Sequence, residues 1–185
     1  HMWTTRTEEE ELITAVRKGE AKAQKKLYER FAPTMFAVCC RYAPDSDTAK
    51  DLLQDGFVKV FTKIDSYAAM GSFEGWLRRV FVTTCLEYLR QKSALKFASS
   101  INEQEVQVAA NDATVVEQLS ANELMSMINS LSDGYRTVFN MYAIEGYSHA
   151  EIAQMLGVSE VTSRTQFMRA RKVLQSLIIK MSENE

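Results

Sequence analysis

Basic side chains recur in one short stretch of the second half of the chain, and their chemistry is that of binding. The stretch contains Arg164, Arg169, Arg171 and Lys172. Guanidinium groups neutralise phosphates, and they can donate two hydrogen bonds to O6 and N7 of guanine. No cluster of Cys, His or carboxylate residues suggests a metal site or a nucleophile. We therefore expect a DNA-binding protein that is not an enzyme, with no cofactor and no small-molecule substrate.

Two short helices with a turn between them would present these basic residues. Ser148 and Glu151 form a capping box, which predicts a helix that begins at His149. Gly157 predicts the end of that helix, because glycine adopts the left-handed conformation at little cost. Ser159 can cap the second helix. This pattern predicts a helix-turn-helix, whose second helix enters the major groove of DNA.

The second of these helices divides its side chains between a core face and two polar flanks. Its apolar stripe consists of Phe167, Ala170, Leu174, Leu177 and Ile178. One flank carries Thr165, Arg169 and Lys172, and the other carries Arg164, Met168 and Arg171. A basic helix face is often only a solvated surface. The capped helix upstream, at helix-turn-helix spacing, favours DNA binding instead.

The composition predicts an all-α protein with a slightly acidic net charge. The chain has 185 residues, 46% of them hydrophobic, with only seven glycines and two prolines. Long periodic segments dominate, and no strand-like alternation between turn pairs is present. The formal net charge is −2, although phosphate contacts supply most non-specific affinity for DNA. Either the basic surface is local, or DNA is bound with the help of a partner.

The absence of a targeting signal and the small, odd number of cysteines predict a cytoplasmic protein. No apolar run approaches the length of a membrane span, so no membrane insertion is expected. Residues 8–11 are all acidic, unlike a signal peptide, and His1 and Met2 resemble a cloning remnant. Three cysteines, with Cys39 and Cys40 adjacent, argue against a disulfide framework. A redox switch at that pair is the alternative to ordinary packing of small thiols in a core helix, which we favour.

The first half of the chain predicts a series of amphipathic helices. They cover residues 8–18, 20–30, 33–43 and 47–65. Pro33 suits the first turn of a helix, so the chain should break before it. In the helix over 47–65, an apolar stripe faces the core, and Asp51, Gln54 and Asp55 fall on the exposed face.

The segment 73–92 combines aromatic and basic residues, with Ser72 as its expected cap. Its rings could stack on unpaired bases, but helical spacing places most of them on one core face. That face comprises Phe73, Trp76, Leu77, Val80, Phe81, Thr84 and Tyr88. The opposite face offers Arg78, Arg79, Val82, Thr83, Glu87 and Arg90. Contact with nucleic acid is expected on that second face.

A change of composition separates two helical domains. Residues 93–114 are rich in Ser, Asn, Gln, Glu and Ala and show no periodicity, which predicts a flexible linker. Beyond it, helices are expected over 115–130 and from 131 to Gly146, the latter burying Val138, Phe139 and Tyr142. His149 is expected to face solvent. The predicted division is a first domain over 8–95, a linker over 96–114 and a helix-turn-helix domain over 115–183.

Four motifs in order resemble a known family. They are Asp51-Leu52-Leu53-Gln54-Asp55 with Phe57, Gly71-Ser72-Phe73 with Trp76-Leu77, Glu151-Ile152-Ala153 through Leu156-Gly157-Val158-Ser159, and Arg169-Ala170-Arg171-Lys172. Their order and spacing are similar to those of the two-domain extracytoplasmic-function (ECF) group of bacterial sigma factors. The resemblance covers nearly the whole chain outside the linker. It implies a promoter-specificity subunit of RNA polymerase, with an anti-sigma factor as a further partner.

The resemblance also implies a role for particular residues. Docking on core RNA polymerase is implied for Asp51, Gln54 and Asp55. Capture of an unpaired base of the minus-ten promoter element is implied for the helix over 73–92, at Arg78, Arg79, Thr83, Glu87 and Arg90. Reading of the minus-35 element as duplex DNA is implied for the second helix of the helix-turn-helix and its cap, at Ser159, Thr162, Arg164, Thr165, Met168, Arg169, Arg171 and Lys172.

Some positions depart from the usual pattern of that family. Thr83 stands where an asparagine commonly meets the flipped base, and Glu87 replaces a nearby aspartate. Val161 occupies the place of a glycine, Gln166 that of an arginine, and Ser132 that of a proline. The promoter sequence therefore cannot be inherited from relatives.

Two rival functions remain at this stage. An autonomous helix-turn-helix regulator would use residues 8–92 to sense an effector or to dimerise, and it would bind DNA without polymerase. The net acidity and the Asp51–Asp55 face argue against it. A module that only sequesters a partner would not need the basic residues of the second helix.

Overall fold

The computed structural model describes residues 6–92, 95 and 120–184, and every regular element in these ranges is helical. The chain forms two compact units, divided after Tyr88. This agrees with the all-α, two-domain prediction. The predicted linker over 96–114 lies outside the described residues, as do residues 115–119. No helix in the described ranges is long and apolar enough to cross a lipid bilayer.

Four α-helices begin within the described residues 6–88 of the first unit, and the last of them continues to Gln91. They are α1 (Arg6–Arg17), α2 (Ala21–Tyr42), α3 (Ser46–Lys63) and α4 (Phe73–Gln91), with a short 3-10 turn at Ile64–Ser66 after α3. Asp45 caps α3 by accepting a hydrogen bond from the backbone N–H of Thr48 at 2.7 Å. Ser72 caps α4 in the predicted way, since its Oγ accepts from the N–H of Gly75 at 3.0 Å.

Helix α2 runs through Pro33 without a break, so the predicted boundary before Pro33 is wrong. Proline removes one helical hydrogen bond and crowds the preceding turn, at a cost of about 3 kcal/mol. Here the ring lies on the exposed side of the helix, while Phe31, Met35 and Val38 are buried on its other side. Burial of apolar side chains before and after the proline offsets that cost and keeps the helix continuous.

The core of the first unit depends on close packing of α3 against α4. Phe81 of α4 is fully buried, and its ring meets that of Phe57 at a centroid distance of 5.1 Å. Gly56 lies under the same ring and leaves room for it. Helix α4 buries a wider arc than one stripe, because Val82 and Leu86 are also inaccessible to solvent. The prediction that Val82 lies on the outer face is therefore wrong.

The described residues 120–184 of the second unit form four further α-helices. They are α5 (Ala121–Asn129), α6 (Asp133–Phe139), α7 (His149–Leu156) and α8 (Glu160–Glu183), and a π-helical turn (Asn140–Ile144) extends α6. A capping box formed by Ser120 and Glu123 begins α5. Ile128, Leu131, Ala170 and Leu174 form a buried cluster that joins α5 to α8.

Candidate nucleic-acid and polymerase interfaces

The helix-turn-helix has the local geometry that its sequence predicts. The N–H of Glu151 donates to Ser148 Oγ at 3.1 Å, and the N–H of Ser148 donates back to Glu151 Oε1 at 3.0 Å. Gly157 ends α7 with φ of +70°, in the left-handed region. Ser159 Oγ accepts from the N–H of Thr162 at 3.0 Å and caps α8. The capping box therefore fixes the start of α7, and the turn to α8 is fixed by the left-handed Gly157 and by the hydrogen bond from the Thr162 N–H to the Ser159 hydroxyl.

Helix α8 exposes one of its two predicted polar flanks more fully than the other. Arg164, Met168 and Arg171 are exposed, whereas Thr165, Arg169 and Lys172 are half-buried. Ser159 is exposed and Thr162 is half-buried at the cap, where their hydroxyls are 2.9 Å apart. All eight predicted minus-35 residues thus lie on α8 and its cap. The opposite, inner face of α8 is buried in the core through Ala170, Leu174 and Ile178.

Arg164 is held loosely on this face. Its Nη2 lies 3.1 Å from Glu160 Oε1, one turn earlier, and both side chains are about half exposed. An exposed ion pair of this kind contributes little free energy, because water and salt screen it. The guanidinium can therefore exchange the carboxylate for a phosphate or a base edge at low cost.

His149 is not the solvent-facing residue that the sequence predicts. Its Nδ1 lies 2.8 Å from Ser163 Oγ on α8, and its ring stacks on Tyr142 at 4.2 Å between centroids. Tyr142 itself lies in the π-helical turn and is 39% exposed, so the prediction that it is buried is wrong. Burial, and then the nearby Arg164 guanidinium, lower the pKa of His149 from its ordinary value.

An open groove of about 600 Å³ borders the helix-turn-helix. Tyr142 and His149 line one part of it, and Glu160 and Arg164 of α8 line another. The neutral form of His149 is favoured here, so the positive charge at this groove comes from Arg164.

A second candidate surface lies on α3. Asp51, Gln54 and Asp55 are exposed, as predicted, and follow one another at helical spacing. Val58 continues the same face and is 62% exposed, which the sequence analysis missed. Its position three residues after Asp55 and outside the core stripe was the available signal. Protein interfaces have an apolar centre and a polar rim, so Val58 could form the centre and the carboxylates the rim of such an interface.

A third candidate surface is a cavity of about 140 Å³ between α3 and α4. Its lining brings together three of the residues predicted to meet the minus-ten element, Arg79, Thr83 and Glu87. Lys59, Lys63, Trp76 and Val80 complete it. Arg78 and Arg90 are not part of the lining, and Arg78 Nε instead lies 4.0 Å from Glu74.

An ion pair crosses the mouth of this cavity from one helix to the other. Lys59 Nζ of α3 donates to Glu87 Oε2 of α4 at 2.6 Å. The two residues are 28 positions apart in sequence, so their contact could not be found from helical spacing. The pair turns the Glu87 carboxylate toward α3, in the same cavity lining that includes Thr83.

The loop before α4 is anchored at its base and exposed at its tip. Arg17 of α1 donates to the carbonyl oxygens of Ile64 at 3.4 Å and Tyr67 at 2.7 Å. Ala69 has a φ of +57°, which is uncommon for a residue with a side chain, and the following Met70 is 87% exposed. No motif or periodic pattern in the sequence marks Met70.

Two family patterns match the chain, and together they cover more than half of it. The pattern described as Sigma-70 region 2 matches residues 27–94, and the one described as Sigma-70, region 4 matches residues 121–174. The first includes the α3 face and the cavity, and the second includes the helix-turn-helix. The two matches identify the chain as a sigma-70 type transcription initiation factor.

Sequence relatives identify the group of sigma factors to which the chain belongs. The chain is 25% identical over 177 residues to the ECF RNA polymerase sigma-E factor of Escherichia coli K12, covering 90% of this chain and 92% of the relative. It is 29% identical over 161 residues to the ECF RNA polymerase sigma factor SigE of Mycolicibacterium smegmatis, covering 84% and 62%. The protein belongs to the two-domain extracytoplasmic-function group of sigma factors, which direct RNA polymerase to specific promoters.

Solved structures share the fold. The sigma factor RpoE of Bartonella quintana, in complex with the anti-sigma factor NepR, is 23% identical with a TM-score of 0.55, covering 84% of this chain and 96% of that one. CnrH, in complex with the cytosolic domain of CnrY, is 22% identical with a TM-score of 0.52, covering 91% and 96%. The sigma assignment displaces the autonomous regulator, which was the rival interpretation of the helix-turn-helix.

Proposed function

We propose that this sigma factor divides its task among the three surfaces described above. Helix α8 reads the minus-35 element as duplex DNA, the cavity between α3 and α4 holds one unpaired minus-ten base, and the α3 face docks on core polymerase. The observation that carries the proposal is the exposed flank of α8, where Arg164, Met168 and Arg171 project from a capped recognition helix.

Reading of the minus-35 element would rest on Arg164 and Arg169. A guanidinium that donates to both O6 and N7 of guanine discriminates by about 1–3 kcal/mol against another base. Arg171, Lys172 and the hydroxyls at the cap would mainly contact phosphates, which fix register rather than sequence. Thr165 and Met168 lie between these groups and would make the apolar contacts.

Capture of the minus-ten base would use the chemistry of the cavity. The Trp76 ring offers a stacking surface, and the Thr83 hydroxyl and Glu87 carboxylate offer hydrogen bonds to a base edge. Lys63 and Arg79 line the same cavity and would contact the flanking phosphates. Arg78 and Arg90 would act outside the cavity, on the backbone of the same strand.

Docking on core polymerase would use Asp51, Gln54 and Asp55 around Val58. Carboxylates at the rim would steer association and select a basic partner surface, while the exposed valine would lose its water on binding. A sigma factor that depends on polymerase in this way needs little DNA affinity of its own, which suits a net charge of −2.

Control and location follow from the same assignment. The two structural relatives described above are held in complexes, one of them with a named anti-sigma factor. We propose that an anti-sigma factor holds this chain as well. The chain would act in the cytoplasm, where RNA polymerase works, and would contribute binding rather than a chemical step.

A transcription assay tests the proposal. Protein and bacterial core polymerase are first tested for co-elution, and start sites are then mapped on sheared genomic DNA of the host to define a promoter. On that promoter, Arg164→Ala and Arg169→Ala should each lower transcription roughly 5–150-fold, the equivalent of ~1–3 kcal/mol. Lys180→Ala is the matched control, because it removes the same charge from an exposed position near the end of α8.

The outcomes separate the possible functions. Loss of promoter use by the two arginine variants, with normal co-elution, supports the proposal. Undiminished transcription by both would overturn the assignment of α8. Binding of DNA by the protein alone, without co-elution with polymerase, would instead support an autonomous regulator.

A further inference from the structure

Val161 is the most exposed apolar side chain of the recognition helix. It lies in the first turn of α8 and is 67% exposed. Single exposed apolar residues are common on protein surfaces, but this one is not isolated. Arg164 and Met168 follow it at helical spacing, and Met168 is 57% exposed. An apolar, a basic and a second apolar side chain therefore line the same flank over two turns.

Base edges in the major groove present few apolar groups. The C5-methyl group of thymine is the one that distinguishes a base pair there, and apolar side chains recognise it by contact. Burial of this methyl group against a branched side chain removes apolar surface of both partners from water. Valine suits the task, because its rotamer is restricted and little side-chain entropy is lost on binding.

We propose that Val161 reads the C5-methyl group of a thymine in the minus-35 element. The proposal rests on the assignment of α8 to that element. Val161 precedes Arg164 by about one turn, so the thymine would lie beside the guanine that Arg164 reads. A valine at this position therefore adds an apolar specificity contact to the first turn of α8, beside the hydroxyls of Ser159 and Thr162 at its cap.

Deoxyuridine provides a direct probe, because it differs from thymidine only by this methyl group. Each thymine of the mapped minus-35 element, on either strand, is replaced in turn by deoxyuridine, and binding of the reconstituted holoenzyme is measured. One replacement should weaken binding about fourfold, the equivalent of ~0.8 kcal/mol for one buried methyl group. Val161→Ala should bind both forms of that promoter equally, whereas Val161→Ile should keep the preference for thymine.

The possible outcomes decide whether Val161 reads a thymine methyl group. Equal binding of thymine and deoxyuridine promoters by the unaltered protein at every position would overturn the inference. The same holds for a preference that persists in Val161→Ala, or for a loss of polymerase binding without DNA in that variant. If one of these contradicting results is found but Arg164→Ala still impairs promoter use, the proposed role of Val161 is refuted and the assignment of α8 to the minus-35 element stands. If Arg164→Ala has no effect, the assignment of α8 itself has failed.

Discussion

Replacing Gly56 with alanine should destabilise the first domain, because α3 and α4 meet at this residue. A Cβ atom at Gly56 would lie 2.0 Å from Cε1 of Phe81 and 2.3 Å from its Cδ1. Carbon atoms in favourable contact are ~3.5–4.0 Å apart, so the ring would have to move by roughly 1.5 Å. Phe81 is fully buried and packs against Phe57, so it has no free space to enter.

The expected size of the effect follows from two opposing terms. Overpacking of a core costs ~1–3 kcal/mol, and the absence of free space around Phe81 favours the upper end. Alanine gains ~0.5–1 kcal/mol over glycine inside a helix. The net loss should therefore be about 2 kcal/mol. For a domain of this size, that loss lowers the urea midpoint by roughly 1–2 M.

Tryptophan fluorescence during urea unfolding of the full chain measures this effect. The chain has two tryptophans, Trp3 and Trp76, and Trp76 lies on α4 in the first unit. All variants are therefore made in a Trp3→Phe background, where the signal comes from Trp76 and reports on that unit. Gly75→Ala is the control, because its Cβ would meet only the Ser72 hydroxyl, at 2.9 Å, and no buried ring. Weakening of the Ser72 cap and the gain of alanine over glycine in a helix oppose each other, so we expect a net change of no more than ~1 kcal/mol there.

A second variant, Phe81→Leu, tests whether the clash with the Phe81 ring causes the loss of stability. Phe81→Leu shortens the ring that obstructs the new methyl group, so Gly56→Ala should cost less in that background than in the unaltered chain. An unaltered midpoint for Gly56→Ala alone would refute the close contact between α3 and α4. Strictly additive losses in the double variant would place the strain somewhere other than at this ring.

Further predictions concern the three surfaces. Replacing Asp51 and Asp55 together with arginine should weaken binding to core polymerase at least about tenfold, measured by fluorescence anisotropy. An affinity equal to that of the unaltered protein would contradict the assignment of the α3 face to docking. The lowered pKa of His149 favours its neutral form in the fold, so its contribution to stability is complete above pH ~6.5 and is lost as the pH falls through the folded-state pKa. His149→Gln should therefore lose less thermal stability between pH 7.5 and pH 5.5 than the parent, and equal losses would exclude this role. Glu87→Gln breaks the ion pair with Lys59 but should cost ~1 kcal/mol or less in stability, because Glu87 is exposed. It should instead change which base is preferred among four templates that differ only at the captured minus-ten position. An unchanged order of preference would argue against base capture in the cavity.

The sequence alone determined the elements whose causes are local. The capping box of Ser148 and Glu151, the left-handed Gly157 and the cap at Ser159 each act within about four residues of backbone. Such interactions do not depend on distant parts of the chain, so they could be predicted and were confirmed. The exposed face of α3 could be predicted for the same reason, because helical periodicity fixes which residues share a side.

Only the tertiary structure decided how residues far apart in sequence meet. Helix α2 continues through Pro33 because burial on its other face outweighs a local preference. His149 contacts Ser163 across 14 positions, and Lys59 contacts Glu87 across 28, so neither pair has a periodic signature. The cavity between α3 and α4 exists only once the two helices pack over Gly56. Contacts within a turn of helix are dictated by the chain itself, whereas these contacts depend on which faces are buried together.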